Sequence, residues 1–313
     1  MPRSPASHTM ASHQPASLAE NLQGSLFMLI ATAGFTVNDL IVKSMSAVFP
    51  VGQTLFMRGC FATLAVLLLA VAQGQFRNAG QLKDRAVILR SIAEAIATIF
   101  FVTAVFNLPI ANVSAIFQAL PLALTLAAYF FLHEPIGPRR LIAILIGFAG
   151  VLLIVRPGLA GFSIYSLLVL GAVAASVVRD IITRSIPKST PGLMISFTTA
   201  ATVTVGGLVM SLFESWAPVQ ALDLAKLAAT SVFLVVGYYF VVTAMRSGDI
   251  GFVSPFRYSV LLFSIGGGIA FFDEVPDRFT LAGSAIIVAS GIYMLYRERV
   301  VHRQAITPPP IRS

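Results

Sequence analysis

Charged residues are scarce in this sequence, and their scarcity excludes a water-soluble protein of ordinary composition. Only 11% of the residues are Asp, Glu, Lys or Arg, whereas 57% are hydrophobic, and the mean hydropathy is +0.87. A soluble globule of 313 residues needs far more charge to cover its surface. The composition therefore predicts an integral membrane protein.

Cysteine and the common catalytic motifs are also missing. Cys60 is the single cysteine, which excludes an intramolecular disulfide and a cysteine-based metal site. The sequence has no phosphate-binding GxxxxGK[ST] motif, no nucleophile elbow, and no second histidine at metal-site spacing from His133. His8 and His13 lie in a polar arm that offers a metal no preset cage. We therefore expect no enzyme, no cofactor and no metal site.

Long apolar segments make up most of what is present. They are apolar on all sides, whereas the strands of a membrane β-barrel would alternate polar and apolar residues. Each is near the length that a helix needs to cross a bilayer. The predicted fold is an all-α membrane protein with ten transmembrane helices as two inverted five-helix repeats. The predicted spans are 22–42, 51–72, 86–107, 111–132, 140–156, 162–184, 190–213, 225–245, 250–272 and 279–296.

The basic residues predict the orientation. The net charge of +8 is scattered over short loops and is not gathered on one face, which argues against a nucleic-acid partner. With both termini cytoplasmic, the inner loops hold most of the Lys and Arg, as the positive-inside rule requires. We expect a multi-pass protein of the bacterial inner membrane. The opposite side then carries only Lys43, Arg156, Lys226 and Arg278.

The two ends of the chain are polar. Residues 1–21 lack the apolar core of a signal peptide, and we expect a disordered cytoplasmic arm. Residues 299–313 contain three consecutive prolines, and we expect a solvated cytoplasmic tail. The helical body is thus predicted to extend between these two segments.

A weak internal repeat divides that body into halves, 22–157 and 158–298. Five crossings per half is an odd number, so the second half must be inserted upside down relative to the first. Inverted halves usually enclose a midplane substrate site and alternate its access by rocking; the alternative is a duplication retained only for packing. Residues 140 or 141 positions apart correspond: Asp39 with Asp180, Lys43 with Arg184, Ser114 with Ser254, and His133-Glu134 with Asp273-Glu274.

Two stretches carry a family resemblance. LPIANVSAIFQALPLALTLAAYFFLHEP at 108–135 and GFAGVLLIVRPG at the end of the first half resemble the EamA family of the drug/metabolite transporter superfamily, and the second half echoes them more weakly. The resemblance extends from about residue 22 to 298. It implies a secondary carrier, without its own ATPase, that moves a small-molecule substrate through the lipid bilayer.

The substrate is a choice among the family's known classes. Intramembrane arginines and abundant aromatic residues favour riboflavin-like vitamin uptake. Amino-acid export and import of a cofactor such as S-adenosylmethionine are the alternatives; a membrane scaffold or membrane enzyme is a remote one. The direction, the coupling ion, and the choice between monomer and homodimer stay open.

Polar side chains inside the spans are the candidate substrate-binding residues, because each is costly in lipid. Arg90 and Glu94 lie four positions apart on one helical face, within ion-pair reach, although Arg90 could instead be a snorkelling anchor. Two polar stripes, Ser114 with Gln118 and Ser254 with Tyr258, lie at equivalent positions of the halves. They either line the site or join helices by hydrogen bonds. The predicted set is Arg58, Arg90, Glu94, Ser114, Phe117, Gln118, Tyr239, Ser254, Arg257 and Tyr258.

Two further charged groups are candidate gates. In each, an aspartate and a base lie four apart on a helix, which favours local pairing. Inversion of the halves would place one group near each face of the membrane, so they could open in alternation; two ordinary surface ion pairs are the alternative. The hinge at His133-Glu134 is expected to be only a loop. The predicted gate residues are Asn38, Asp39, Lys43, Arg179, Asp180 and Arg184.

Overall fold

The computed structural model describes residues 17–74, 84–159, 161–187 and 189–306, and in these residues the protein is a bundle of helices. Ten segments of this part of the chain are long and apolar enough to cross a membrane. The fold class is therefore the predicted all-α one, and the inverted relation of the halves stays a prediction. The helices are α1 (Leu18–Ser44), α2 (Val51–Ala72), α3 (Arg85–Asn107), α4 (Ile110–Phe117), α5 (Leu120–Leu132), α6 (Pro138–Val155), α7 (Ile164–Thr183), α8 (Gly192–Ser211), α9 (Ala221–Ser247), α10 (Ile250–Val253), α11 (Ser259–Phe272) and α12 (Arg278–Ile306).

The predicted spans agree with these helices to within about two residues, except at the two ends of the chain and at α9, which begins at Ala221 and not at 225. The first helix begins at Leu18, because the Ser17 hydroxyl accepts from the Glu20 backbone N–H and the Glu20 carboxylate accepts from the Ser17 N–H. Residues 18–21 are therefore helical and do not belong to a disordered arm. The last helix continues to Ile306, so residues 299–306 of the expected tail are helical.

Several predictions fall outside the described residues. They are the remainder of the arm, the Pro-rich end of the tail at 307–313, and the basic loop residues Arg77, Lys83 and Lys188. The roles assigned to them stay predictions.

The fourth and ninth crossings are both interrupted near the middle. The fourth is divided into α4 and α5 around Gln118, because Pro121 has no N–H to donate to the Phe117 carbonyl. The ninth consists of α10, a 3₁₀ turn over Ser254–Tyr258 that contains Pro255, and α11. Discontinuous helices inside a membrane usually border a buried or hydrated site, where freed backbone groups find partners.

Each interrupted crossing ends in the same way. His133 after α5 and Asp273 after α11 adopt left-handed backbone conformations, with φ of 55° and 53°. The next N–H then turns back to the helix: Glu134 donates to the Ala128 carbonyl at 3.3 Å and Glu274 to the Gly268 carbonyl at 3.0 Å. These turns direct Glu134 and Glu274 away from their own helices.

Helices from the two halves of the chain pack against each other. The closest pairs are α1 with α9, α2 with α8, α3 with α7, and α6 with α12. Small residues allow this approach: at Gly150 a Cβ atom would lie 2.9 Å from the Gly283 carbonyl oxygen, so only glycine fits there. Every half therefore depends on the other for burial of its helix faces.

Candidate functional site

Charged side chains from four helices and a tyrosine from a fifth collect in one region of the bundle, which we call the charged cluster. Its members interact electrostatically across α1, α2, α3, α7 and α9. Arg58, for example, is the eighth residue of α2, about 10 Å along the helix from its beginning, and it interacts with Asp39, Glu94 and Tyr238. The cluster consists of Asp39, Arg58, Arg90, Glu94, Arg179, Asp180 and Tyr238.

Arg179 joins two carboxylates of the charged cluster. Its Nη1 lies 2.5 Å from Glu94 of α3, and its Nε lies 2.8 Å from the neighbouring Asp180. The side chains of Arg179 and Glu94 are only 19% and 17% exposed. The bond to Glu94 links α3 to α7, and the bond to Asp180 fixes the guanidinium within α7; charge-assisted bonds at such low exposure are strong.

The predicted pairing of Arg90 with Glu94 was therefore wrong. Both lie on α3 and interact electrostatically, but Glu94 forms its ion pair with Arg179. Arg90 instead donates to the Thr183 hydroxyl at 3.1 Å and the Thr199 hydroxyl at 2.6 Å. Helical spacing allows an i,i+4 pair, but α7 and α8 supply closer partners.

Arg58 and Asp39 are the members of the charged cluster with the least local neutralisation. Asp39 accepts a hydrogen bond from the Asn38 amide at 2.8 Å, and Arg58 attracts it electrostatically. Within the described residues neither side chain belongs to an ion pair. Both are half-buried in the apolar part of a helix, where an unpaired charge is stable only beside water or a ligand.

Tyr238, which the sequence analysis did not select, belongs to the charged cluster, and Tyr239 does not. Tyr238 interacts electrostatically with Glu94, Arg179, Arg58 and Arg90. Its ring also meets Phe35 edge-on, with the centroids 5.3 Å apart. Tyr239, one position along α9, packs edge-on against Phe240. Adjacent helical residues point about 100° apart, so only one of them can face the charges.

The two predicted gate bases, Lys43 and Arg184, pair with glutamates of the opposite half and not with the aspartates of their own helices. Lys43 Nζ lies 2.8 Å from Glu274, which follows α11 in the other half. Arg184 Nη1 lies 2.6 Å from Glu134, which follows α5 in the first half. Lys43 with Asp39 and Arg184 with Asp180 were thus the wrong pairs, and Glu134 is not merely part of a loop.

The two cross-half pairs differ in burial. The side chains of Lys43 and Glu274 are 8% and 21% exposed, whereas those of Arg184 and Glu134 are 49% and 54% exposed. Lys43 also donates to the carbonyls of Val105 at 3.2 Å and Leu108 at 2.6 Å. The Lys43 pair is therefore supported by several further groups, whereas in the described residues Arg184 and Glu134 form a single exposed pair with each other.

Glu274 has a second partner. Its carboxylate accepts from the N–H of Ile110 at 2.9 Å, which is the first residue of α4. A carboxylate at a helix N-terminus is stabilised by the free N–H groups there. Glu274 therefore bridges the end of α1 and the beginning of α4 from the opposite half.

The predicted polar stripes lie at the interrupted crossings. Ser114 donates to the Ser264 hydroxyl at 2.8 Å and is buried, as is Ser254. The Gln118 amide approaches the Arg257 carbonyl oxygen at 3.5 Å. The Ser114 contact is a hydrogen bond between helices, which was one of the two alternatives for the stripes.

Three other predicted binding residues of the interrupted crossings are packed or separate from the charges. Tyr258 is 5% exposed and lies against Gly291, where no side chain would fit. Phe117 meets Phe101 edge-on at 5.0 Å inside the main apolar core. Arg257 is exposed. The structure does not bring these three residues into the charged cluster.

Asp277 forms another contact between the halves. It accepts from the Arg156 guanidinium and, at 2.8 Å, from the N–H of Thr280. Partial burial acts to raise the pKa of Asp277, but these hydrogen bonds outweigh burial and hold its pKa below the usual range. This loop pair therefore favours the ionised carboxylate.

Comparison with known proteins gives consistent matches over most of the chain. Residues 22–156 match the model of the EamA-like transporter family. The pseudopaline exporter of Pseudomonas aeruginosa is 27% identical over 86% of this chain and 94% of that protein. The S-adenosylmethionine uptake transporter of Rickettsia prowazekii is 23% identical over 90% and 96%. The riboflavin transporter of Rhizobium johnstonii is 24% identical over 88% and 91%.

A solved structure resembles the fold. It matches with a TM-score of 0.57 and 20% identity, over 88% of this chain and 98% of that one. At this identity the likeness supports the arrangement of helices alone.

Proposed function

We propose that this chain, whose residues 22–156 match the EamA-like transporter family, carries a small, charge-bearing organic metabolite across a bacterial inner membrane by alternating access. The observation that carries this proposal is the charged cluster: three arginines and three carboxylates lie where the membrane-spanning helices cross. Charges in that environment are costly, and they are typical of a substrate path. The substrate site is proposed to lie between the two halves, with both termini cytoplasmic.

The balance of charges suggests the substrate class. Arg179 is neutralised by Glu94 and Asp180, which leaves Arg58, Arg90 and Asp39 without ion pairs in the described part of the chain. A guanidinium binds a carboxylate with two parallel hydrogen bonds. A metabolite with an acidic group for Arg58 and a basic group for Asp39 would complete the neutralisation.

The relatives are compatible with that class. Two of them are named for pseudopaline export and S-adenosylmethionine uptake. At 23–27% identity, these relatives support transport of a small metabolite by this chain, and they do not specify which metabolite. We therefore propose the class by its charges, and not by either of these names.

Riboflavin uptake is the second candidate. It is favoured by the edge-on pair of Phe35 and Tyr238 beside Arg58, since an aromatic wall next to a guanidinium suits a large planar ring. The name of the Rhizobium johnstonii relative agrees with this candidate. The monomeric or dimeric state has no bearing on either choice.

Flux measurements with purified protein in liposomes would test both candidates. The panel contains zwitterionic amino acids, S-adenosylmethionine, riboflavin and a neutral sugar. We expect saturable flux and counterflow for a zwitterion. Saturable flux for riboflavin alone would favour the second candidate, and no saturable flux for any compound by correctly folded protein would contradict both.

Two variants sharpen this measurement. Arg58→Gln should raise the KM for a carboxylate-bearing substrate by about tenfold or more, because it removes a charge-assisted pair worth at least about 1.4 kcal/mol. Arg85→Gln is the matched control, since Arg85 is exposed at the beginning of α3 and outside the charged cluster. Equal KM values for the two variants would show that Arg58 does not bind the substrate.

A further inference from the structure

We propose that Lys43–Glu274 and Arg184–Glu134 are the two gates of the carrier, the first sealed in this structure by a buried network and the second held by an exposed ion pair. This inference rests on the proposed transport function. It assigns the gate function to Glu134 and Glu274, which the sequence did not single out. It also replaces the pairs with Asp39 and Asp180 that helical spacing suggested.

The first step is the equivalence of the two pairs. Lys43 and Arg184 both lie at the end of the first helix of a half, 141 positions apart, and Glu134 and Glu274 follow the interrupted helix of each half, 140 positions apart. Each base meets the glutamate of the opposite half. The same contact is therefore made twice, once in each direction between the halves.

The second step is that each pair joins segments that must separate when that end opens. The residue before each glutamate has a left-handed conformation, which turns the glutamate off its own helix. Both glutamates thus extend from one half to a base on the other. Breaking either pair frees the first helix of one half from the interrupted helix of the other.

The third step is the difference between the pairs in this structure. At the Lys43 end the side chains are 8% and 21% exposed, and the carbonyls of Val105 and Leu108 hold the Lys43 ammonium. The first residue of α4, Ile110, adds its N–H to Glu274. This end is sealed by a network that water cannot easily enter.

The Arg184 end lacks the equivalent network. Its side chains are 49% and 54% exposed, and within the described residues Arg184 donates to Glu134 and to no backbone carbonyl. Gly248, which corresponds to Leu108, instead adjoins Asn21, whose Oδ1 accepts from the Asp249 N–H at 2.8 Å. An exposed ion pair holds its segments weakly.

The fourth step is that closure would exchange the two environments. Burial of Arg184 and Glu134 would bring them to the backbone around Gly248, as Lys43 now lies against Leu108, while Lys43 and Glu274 became hydrated. The number of ion pairs is the same in both states, so neither state is strongly favoured and substrate can shift the balance. With both termini cytoplasmic, the sealed Lys43–Glu274 gate of this structure faces the outside.

Thiol labelling from each side of the membrane tests this exchange without any substrate. The reporter is Phe35→Cys, beside the charged cluster, in a Cys60→Ser background, and the probe is a membrane-impermeant maleimide applied to cells or to inverted vesicles. Glu274→Gln should increase labelling from the Lys43 side by about tenfold or more, because it breaks a buried pair. Glu134→Gln should leave that side protected and increase labelling from the Arg184 side.

Control variants separate gating from general damage. Lys226→Gln removes a cation at the end of the bundle assigned to the outside, and Arg139→Gln removes one at the other end; neither belongs to a gate pair, and neither should change the labelling. The exchanged pair Arg184→Glu with Glu134→Arg should restore protection that Arg184→Glu alone removes, because in the described residues neither side chain bonds to the backbone. If a single variant fails to fold, the exchanged double variant still tests the same contact.

The outcomes separate this inference from the transport function itself. Opposite changes in sidedness, with rescue by the exchange, support the gates even if no tested compound is transported. Changes in the same direction, no change, or no rescue by the exchange would overturn the gates. Normal flux together with unchanged sidedness would overturn the gates alone and leave the proposed function intact.

Discussion

Replacing Arg179 with glutamine removes the guanidinium that joins α3 to α7. Its two ion pairs, with Glu94 at 2.5 Å and with Asp180 at 2.8 Å, are both lost. Glutamine keeps hydrogen-bonding capacity and much of the volume, so the change isolates the charge. The variant leaves two carboxylates close together in the helix bundle without their counter-charge.

The expected loss of stability follows from that arrangement. Removing one partner of a buried ion pair typically costs about 3–5 kcal/mol, because the other charge is left uncompensated. The side chains of Arg179 and Glu94 retain 19% and 17% exposure, so partial hydration lowers the expected cost to about 2–3 kcal/mol. In a chain of this size that cost corresponds to a thermal midpoint lower by about 5 °C.

A double-mutant cycle in detergent measures the pair directly. Arg179→Gln, Glu94→Gln and the double variant are melted beside the parent protein, with aggregation followed by size exclusion. We expect the double variant to lose less than the sum of the single variants, with a coupling of about 1–3 kcal/mol. Strictly additive losses would refute the bridge, because residues that do not interact add independently.

Three further predictions concern the frame of the bundle. Asp277 has a pKa below its usual range in the folded protein, so its stabilising contact with Arg156 is present above the unfolded pKa and is lost as pH falls below about 4. The difference in thermal midpoint between the parent and Asp277→Asn should therefore shrink over that pH range. The effect should be well under about 1 kcal/mol, because the Asp277 side chain is exposed. Gly150→Ala should destabilise the protein by about 1–3 kcal/mol, since the new Cβ would crowd the Gly283 carbonyl. Gly266→Ala, which places its Cβ in open space, should be neutral or stabilising by about 0.5 kcal/mol. Equal thermal midpoints for the two variants would contradict the contact between α6 and α12. Glu214→Gln should cost about 1 kcal/mol, because its carboxylate accepts from two N–H groups at the beginning of α2, and an unchanged midpoint would count against this cap.

The charged cluster and the two gates are coupled through shared helices. Asp39 and Lys43 lie one turn apart on α1, and Asp180 and Arg184 lie one turn apart on α7. Movement of either helix that breaks a gate pair must therefore also move a carboxylate of the charged cluster. This gives substrate binding a direct way to favour one gate over the other.

Most of the fold was predictable because its signals are local. The apolar runs and proline positions indicate where helices begin, end and break, and α2 agrees with its prediction at both ends. The exceptions are at polar ends of the chain, where a capping box at Ser17 and Glu20 extends the first helix beyond its apolar part. That signal was present in the sequence and was passed over.

The candidate site was predictable in its members more than in its contacts. Arg58 and Glu94 were selected because a charge in an apolar span is costly wherever it lies. Asp39 and Arg179 were selected as members of the two candidate gate groups. Tyr238 was passed over in favour of Tyr239, since a tyrosine pair in a helix does not reveal which ring faces inward. The charges on neighbouring helices decide that choice.

The sequence by itself determined that the protein is an all-α membrane protein, where the ten membrane-crossing segments of its described part lie, and which residue types are expensive in lipid. Only the tertiary structure decided which charges meet: Lys43 was within reach of Asp39 along one helix but pairs with Glu274, and Arg184 pairs with Glu134. The physical reason is that helical periodicity specifies neighbours along one segment. Partners across segments depend on how the two halves pack, and ion pairs form with whichever opposite charge that packing brings nearest.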